Sequence, residues 1–173
     1  MPMKKNIYTV LFAIFTMVLT SCGPAKEEAI SYNDKIINEQ VDIIDKIDKL
    51  YDALQDYNNH YGMDYAYNEA QKQVETGTAI VSKMDKFDGN TEFRDEALKL
   101  FGTYKSVLQN ELQRMSDISK LSNDDFTKDA KAEFNKLSDI SVKKLDEAEK
   151  EFAEFQKKFA NKYNFEIEKR KPL

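Results

Sequence analysis

The side chain with the most chemistry to offer is Cys22, the only cysteine among 173 residues. A lone thiol forms no intramolecular disulfide. This one follows Leu19-Thr20-Ser21 at the end of an apolar run from Ile7 to Leu19, which itself follows Lys4 and Lys5. A positive start, an apolar stretch and small residues before the cysteine are the three parts of an export signal. The run is too short to cross a bilayer as a helix, which takes about 20 residues. Leu19-Thr20-Ser21-Cys22 is therefore read as a lipobox. Cleavage between Ser21 and Cys22 would discard residues 1–21 as a lipoprotein signal peptide and leave Cys22 as the lipid-bearing N-terminus.

The remaining candidates for chemistry are weak. His60 is the only histidine, with Asp64 four residues on; a metal site needs further ligands, so no metal is expected. Asp88, Asn90 and Glu92 alternate as in a calcium loop. Gly89 then falls at the second position, where an EF-hand needs glycine at the sixth, so capping is the better account. No Glu-x-x-His pair of the di-iron kind and no glycine-rich phosphate loop occurs. No catalytic residue and no cofactor is assigned, and the chain is not expected to be an enzyme. With 26 basic against 31 acidic residues the formal charge is -5, which argues against nucleic acid as a partner.

The elements that must position anything else read as helices. The three prolines are Pro2, Pro24 and Pro172, so nothing from 25 to 171 is barred from a helix interior by a missing N–H. From about Glu28 to Tyr57, Ile30, Ile37, Val41, Ile44, Ile47, Tyr51 and Leu54 recur at helical steps, with Ile36, Ile43 and Leu50 beside them. Residues 58–65, with two asparagines and Gly62, are read as a turn. A second helix follows from about Ala66 to Phe87, with Gly77 on its apolar side. A helix-interior glycine costs up to about 1 kcal/mol, so a neighbouring helix is expected to approach closely there. Asp88-Gly89-Asn90-Thr91 is the next turn, with Thr91 as N-cap. A third helix spans about Glu92 to Leu121, and Ser122 with Asp125 forms a capping box. The fourth helix carries Phe126, Phe134, Leu145, Phe152, Phe155, Phe159 and Tyr163 on one stripe. Glu154 with Lys158 and Asp146 with Lys150 are i,i+4 pairs on its solvated side. It is the longest helix, so it either bends near 138–141 or overhangs one end.

The expected fold is all-α: an antiparallel up-down four-helix bundle over residues 28–165, after a lipidated linker at 22–27 and before a basic tail at 166–173. Two surfaces stand out. Tyr57, Tyr61, Tyr65 and Tyr67 cluster around the first loop, at the end of the bundle far from Cys22, as a candidate contact for a protein partner. Lys169, Arg170 and Lys171 would return to the anchored end, where each basic residue near anionic headgroups is worth about 1 kcal/mol. A second reading places a small apolar ligand between the aromatic stripes, notably at Phe152, Phe155 and Phe159.

The leader resembles those of bacterial lipoproteins. That resemblance implies diacylglycerol on the Cys22 sulfur through a thioether, cleavage, and N-acylation with a palmitate-type chain. Several acyl chains anchor stably where one is marginal. Gly23 is not the aspartate that marks inner-membrane retention, so the outer membrane is the expected location, with the helical body, a binding or structural module, exposed on the cell surface or in the periplasm. Lys26-Glu27-Glu28 is similar to the Lys-acid-acid signal of surface-exposed Bacteroidota lipoproteins, and it also reads as an acidic first turn complementing a helix dipole. Further on, four runs resemble a group of small surface lipoproteins of Bacteroidota and spirochaetes named after a Leptospira surface protein. They are Tyr32-Asn33-Asp34-Lys35-Ile36-Ile37-Asn38-Glu39-Gln40, Phe87 to Leu98 (Phe-Asp-Gly-Asn-Thr-Glu-Phe-Arg-Asp-Glu-Ala-Leu), Tyr104-Lys105-Ser106-Val107, and Phe159-Ala160-Asn161-Lys162-Tyr163-Asn164-Phe165. The resemblance implies a helical, surface-associated lipoprotein and supplies no catalytic residue.

Overall fold

The structure, a computed structural model, describes residues 24–56 and 59–167. Cys22, Ser21, Tyr57 and the tail residues Lys169, Arg170 and Lys171 lie outside the described residues. Among the described residues the secondary structure is all helical: α1 Lys26–Leu54, α2 His60–Ser82, α3 Glu92–Val107, α4 Gln113–Ser119 and α5 Lys128–Lys162. A π-helical turn, Leu108–Leu112, joins α3 to α4, so these three pieces form one rod where a plain helix was expected. Among the described residues no helix is long and apolar enough to cross a membrane.

The inward face of α1 is set by a seven-residue repeat. Ala29, Asn33, Ile36, Ile43, Ile47, Leu50 and Leu54 are buried, at alternating steps of four and three once Gln40 is counted between Ile36 and Ile43. This is the a/d spacing by which helices interdigitate at shallow crossing angles. The centre of the face is therefore Ile36, Ile43 and Leu50. Val41, expected on the stripe, is 40% exposed. On α2, Met63, Ala70, Val74, Gly77 and Val81 are buried. At Gly77 a Cβ would stand 3.1 Å from Ile43 Cδ1 and 3.5 Å from Glu39 Cβ, so the close approach of α1 is what this glycine permits.

Several turns differ from the reading of the sequence. The expected turn at 58–65 is helical from His60, because Asn59 caps α2: its Oδ1 accepts from Gly62 N at 2.8 Å. A side chain at 62 would meet Asn59, its Cβ falling 2.8 Å from that oxygen, so Gly62 serves a cap and does not break the helix. Thr91 stands at the N-cap position of α3 as expected, but its side chain makes no capping hydrogen bond. Asn90 Oδ1 accepts from Glu92 N at 2.6 Å, and the Thr91 hydroxyl donates instead to Asp95. Ser122 and Asp125 do bond to each other, yet within a turn. The N-cap of α5 is Thr127, whose Oγ1 accepts from Ala130 N at 3.2 Å. α5 runs unbroken through 138–141, where the Ser141 hydroxyl donates to Ser138 O.

Contacts between rods join side chains far apart in the chain. Lys46 meets Glu69 across α1 and α2. Lys99 meets Glu151, and Arg114 meets Glu133, across the third rod and α5. Asn33 accepts from Gln156, and the Tyr51 hydroxyl donates to Ser141 Oγ, across α1 and α5. Early residues of one helix thus face late residues of the other in each pair.

Candidate functional site

Where α1 begins, α5 closes. The last turn of α5 ends in a left-handed residue, Asn164 at φ 55. Phe165 N reaches Ala160 O at 3.0 Å and Asn164 N reaches Asn161 O at 3.3 Å. This is the Schellman pattern, which turns the chain back on its own helix. It sets Phe165 against Ala160 and Ala29 in a small core of its own. The α2–α3 connection arrives at the same place. Phe87 and Asn90 exchange two 2.9 Å backbone hydrogen bonds around Asp88 and Gly89, both at positive φ.

These three segments assemble an aromatic cluster around Phe159. Its ring lies 4.5 Å from Phe93, 4.8 Å from Tyr163, 5.5 Å from Phe87, 6.0 Å from Tyr32 and 6.1 Å from Phe165, centroid to centroid. The stacked and edge-on arrangements are those aromatic quadrupoles prefer. The rings leave a partly open cavity of about 110 Å³, lined by the aromatic residues 32, 87, 93, 155, 159 and 163 with Asn90, Glu92, Lys158 and Lys162 among them. Of the three phenylalanines proposed for a ligand, Phe155 and Phe159 line this cavity. Phe152 does not: it is 2% exposed and stacked on Phe93 at 5.4 Å.

The polar groups around the cavity are not equivalent. Asp88 accepts from Lys162 Nζ at 3.1 Å and from the Tyr163 hydroxyl at 2.9 Å, and these two donors hold its carboxyl below the ordinary range. The Tyr32 hydroxyl donates to Asp85 O at 3.1 Å; burial outweighs the nearby Arg94 charge and pushes it up. Lys158 was expected to pair with Glu154. Its ammonium lies instead over the Phe155 ring, 4.6 Å from the centroid, and forms no ion pair among the described residues.

The tyrosines read as a contact cluster separate. Tyr61 and Tyr65 share one exposed face of α2, at 84% and 59% exposure. Tyr67 is half-buried against the core, where burial raises its hydroxyl pKa. Lys26, Glu27 and Glu28 form the exposed first turn of α1, with Glu28 Oε2 accepting from Ala25 N at 3.2 Å. His60 is the exposed first residue of α2, and Asp64 pairs with Lys120. No three His, Cys, Asp or Glu residues converge for a metal among the described residues.

Sequence reasoning missed a polar seam through the interior. The fully buried Tyr104 donates to Glu149 Oε1 at 3.1 Å and receives Gln40 Nε2 at 3.5 Å. Burial pushes the Tyr104 hydroxyl well above its ordinary value and raises the Glu149 carboxyl as well. Glu111, on the π-helical turn, binds Lys144 at 2.7 Å through one oxygen, while the other has no hydrogen-bond partner among the described residues. The polar residues Asn33, buried, and Gln40, half-buried, on the inward repeat of α1 were the available signal. Comparison of the chain with protein-family models, curated proteins and solved structures gives no match.

Proposed function

We propose that the protein is a lipoprotein of the bacterial outer membrane, anchored through diacylglycerol and an N-acyl chain on Cys22 and exposed at the cell surface. Its helices act as an antiparallel up-down four-helix bundle that serves as a binding or structural module, without catalysis. Its kinship is with the small surface lipoproteins that its sequence resembles. The supporting observation is the convergence of Ala29, Ala160 and Phe165 at one end. The body then hangs from the membrane by the end nearest Cys22. The opposite end, where Asp64 meets Lys120 and Ser119 donates to Leu54 O, carries Tyr61 and Tyr65 outward for a protein partner.

Labelling of growing cells with an alkyne palmitate tests the anchor. Label on the wild type and none on Cys22→Ser is expected, with protease added to intact cells degrading the wild type. Label retained by Cys22→Ser would refute lipidation at that residue, and protection from protease would refute surface exposure. A second reading is favoured by the ring-lined cavity: the bundle carries a small apolar ligand beside Phe155 and Phe159.

A further inference from the structure

Lys158 is the part of the cavity that core packing alone does not explain. A surface lysine four residues after Glu154 gains most by pairing with it, yet its ammonium is held over Phe155 at the cavity wall with no acidic partner among the described residues. Lys162, the other cation of the lining, is engaged by Asp88 and lies over the Tyr163 ring at 4.9 Å. Two ring faces are thus already covered by ammonium groups, which speaks against a cationic guest that would need those faces for itself. The volume of about 110 Å³ is on the scale of a single ring, since an engineered apolar cavity of about 150 Å³ in another protein accepts benzene. It is too small for a long acyl chain.

We infer that the cavity receives one aromatic ring bearing an anionic head, the ring seated against Phe87, Phe155 and Phe159 and the head bound by the Lys158 ammonium. The inference rests on the ligand-carrying reading and adds the ligand's class and polarity. The rings supply edges and faces for offset contact with a planar guest. A carboxylate on Lys158 makes a charge-assisted hydrogen bond beside an apolar wall, where such bonds are stronger than neutral ones. Glu92, on the α3 side of the lining, repels the head and directs it toward α5.

Calorimetric titration of the full chain with 3-phenylpropionate, 3-phenylpropylamine and ethylbenzene separates the possibilities. The acid is expected to bind about tenfold tighter than the amine. Lys158→Gln should weaken the acid about tenfold and leave ethylbenzene unchanged, and Glu92→Gln should tighten the acid. Circular dichroism confirms that each variant folds. An amine or ethylbenzene as tight as the acid, or a Lys158→Gln variant that binds the acid like the wild type, overturns the anionic class while leaving a ligand cavity standing. No binding of any of the three at millimolar concentration overturns both readings.

Discussion

Glu149 shows how a single side chain ties this fold to pH. Burial raises its pKa, the Tyr104 hydrogen bond partly opposes that, and Asp146 and Asp48 add to the rise. The folded chain therefore keeps this proton to a higher pH than the unfolded chain, whose glutamates titrate at about 4.3. The stability it contributes is complete below that value and is lost as the pH climbs through the folded pKa. Glu39 and Asp48, raised by burial and by neighbouring acids, carry the same sign. Asp88, Asp95 and Glu133 are lowered by hydrogen bonds from basic and hydroxyl partners. Their contribution runs the other way and is lost as the pH falls. Glu149→Gln keeps an acceptor for Tyr104 and removes the charge. Discounted for its partial exposure, the change should raise the melting temperature by about 2 °C at pH 7 and leave it unchanged at pH 4. Equal shifts at both values would dissociate the effect from ionisation. Nothing in the sequence near Glu149 announces this, because Tyr104 lies 45 positions away and no local spacing couples them.

At the scale of elements, the helices were legible and their ends were not. Periodicity found α1, α2, the third rod and α5 because burial of one face dominates over many turns. Ends depend on one hydrogen bond each, and neighbouring residues compete for it. Asn90 and Thr91 are both good caps by type, and the turn geometry at Asp88 and Gly89 gives the bond to Asn90. Asn90→Ala should then cost about 1 kcal/mol in urea denaturation, as should Thr127→Ala at the start of α5, while Thr91→Ala costs less than either. A Thr91→Ala loss equal to that of Asn90→Ala would return the cap to Thr91. The π-helical turn was hidden for a different reason. Leu108 and Leu112 keep the ordinary four-residue step of an apolar stripe, so the pattern reads the same with or without the wider turn. What distinguishes it is Glu111 facing inward to Lys144, a contact made only once α5 is in place. The aromatic stripe of α5 likewise announced the rings but not the cavity, which needs Tyr32 from α1 and Phe87 from the α2–α3 turn.

For the molecule as a whole, the question is which end faces the lipid and what that end presents. α1 starts at Lys26, four residues after Cys22, and the last turns of α5, which finishes at Lys162, bring Ala160 into the cluster with Ala29. On the proposed anchoring, the cavity and the Lys26-Glu27-Glu28 turn would stand near the headgroups, and the tail is proposed to reach them. The full sequence, its basic tail included, carries an acidic surplus, a formal -5, which an anionic leaflet would repel. On that proposal Lys169, Arg170 and Lys171 would offset the repulsion locally, since potentials at a membrane surface decay within a Debye length of about 8 Å at physiological salt. Three basic residues at about 1 kcal/mol each make the tail strong enough to measure without the lipid. The full chain carrying Cys22→Ser should bind vesicles containing phosphatidylserine, and replacing all three basic residues by Gln should weaken that binding more than tenfold at low salt. The difference should shrink as salt is raised and be missing on vesicles of phosphatidylcholine alone. Equal binding of the two chains to the anionic vesicles would remove the tail from the membrane contact. Orientation would then rest on the acyl chains at Cys22, with the body free to tilt about them and bring Tyr61 and Tyr65 toward the surface.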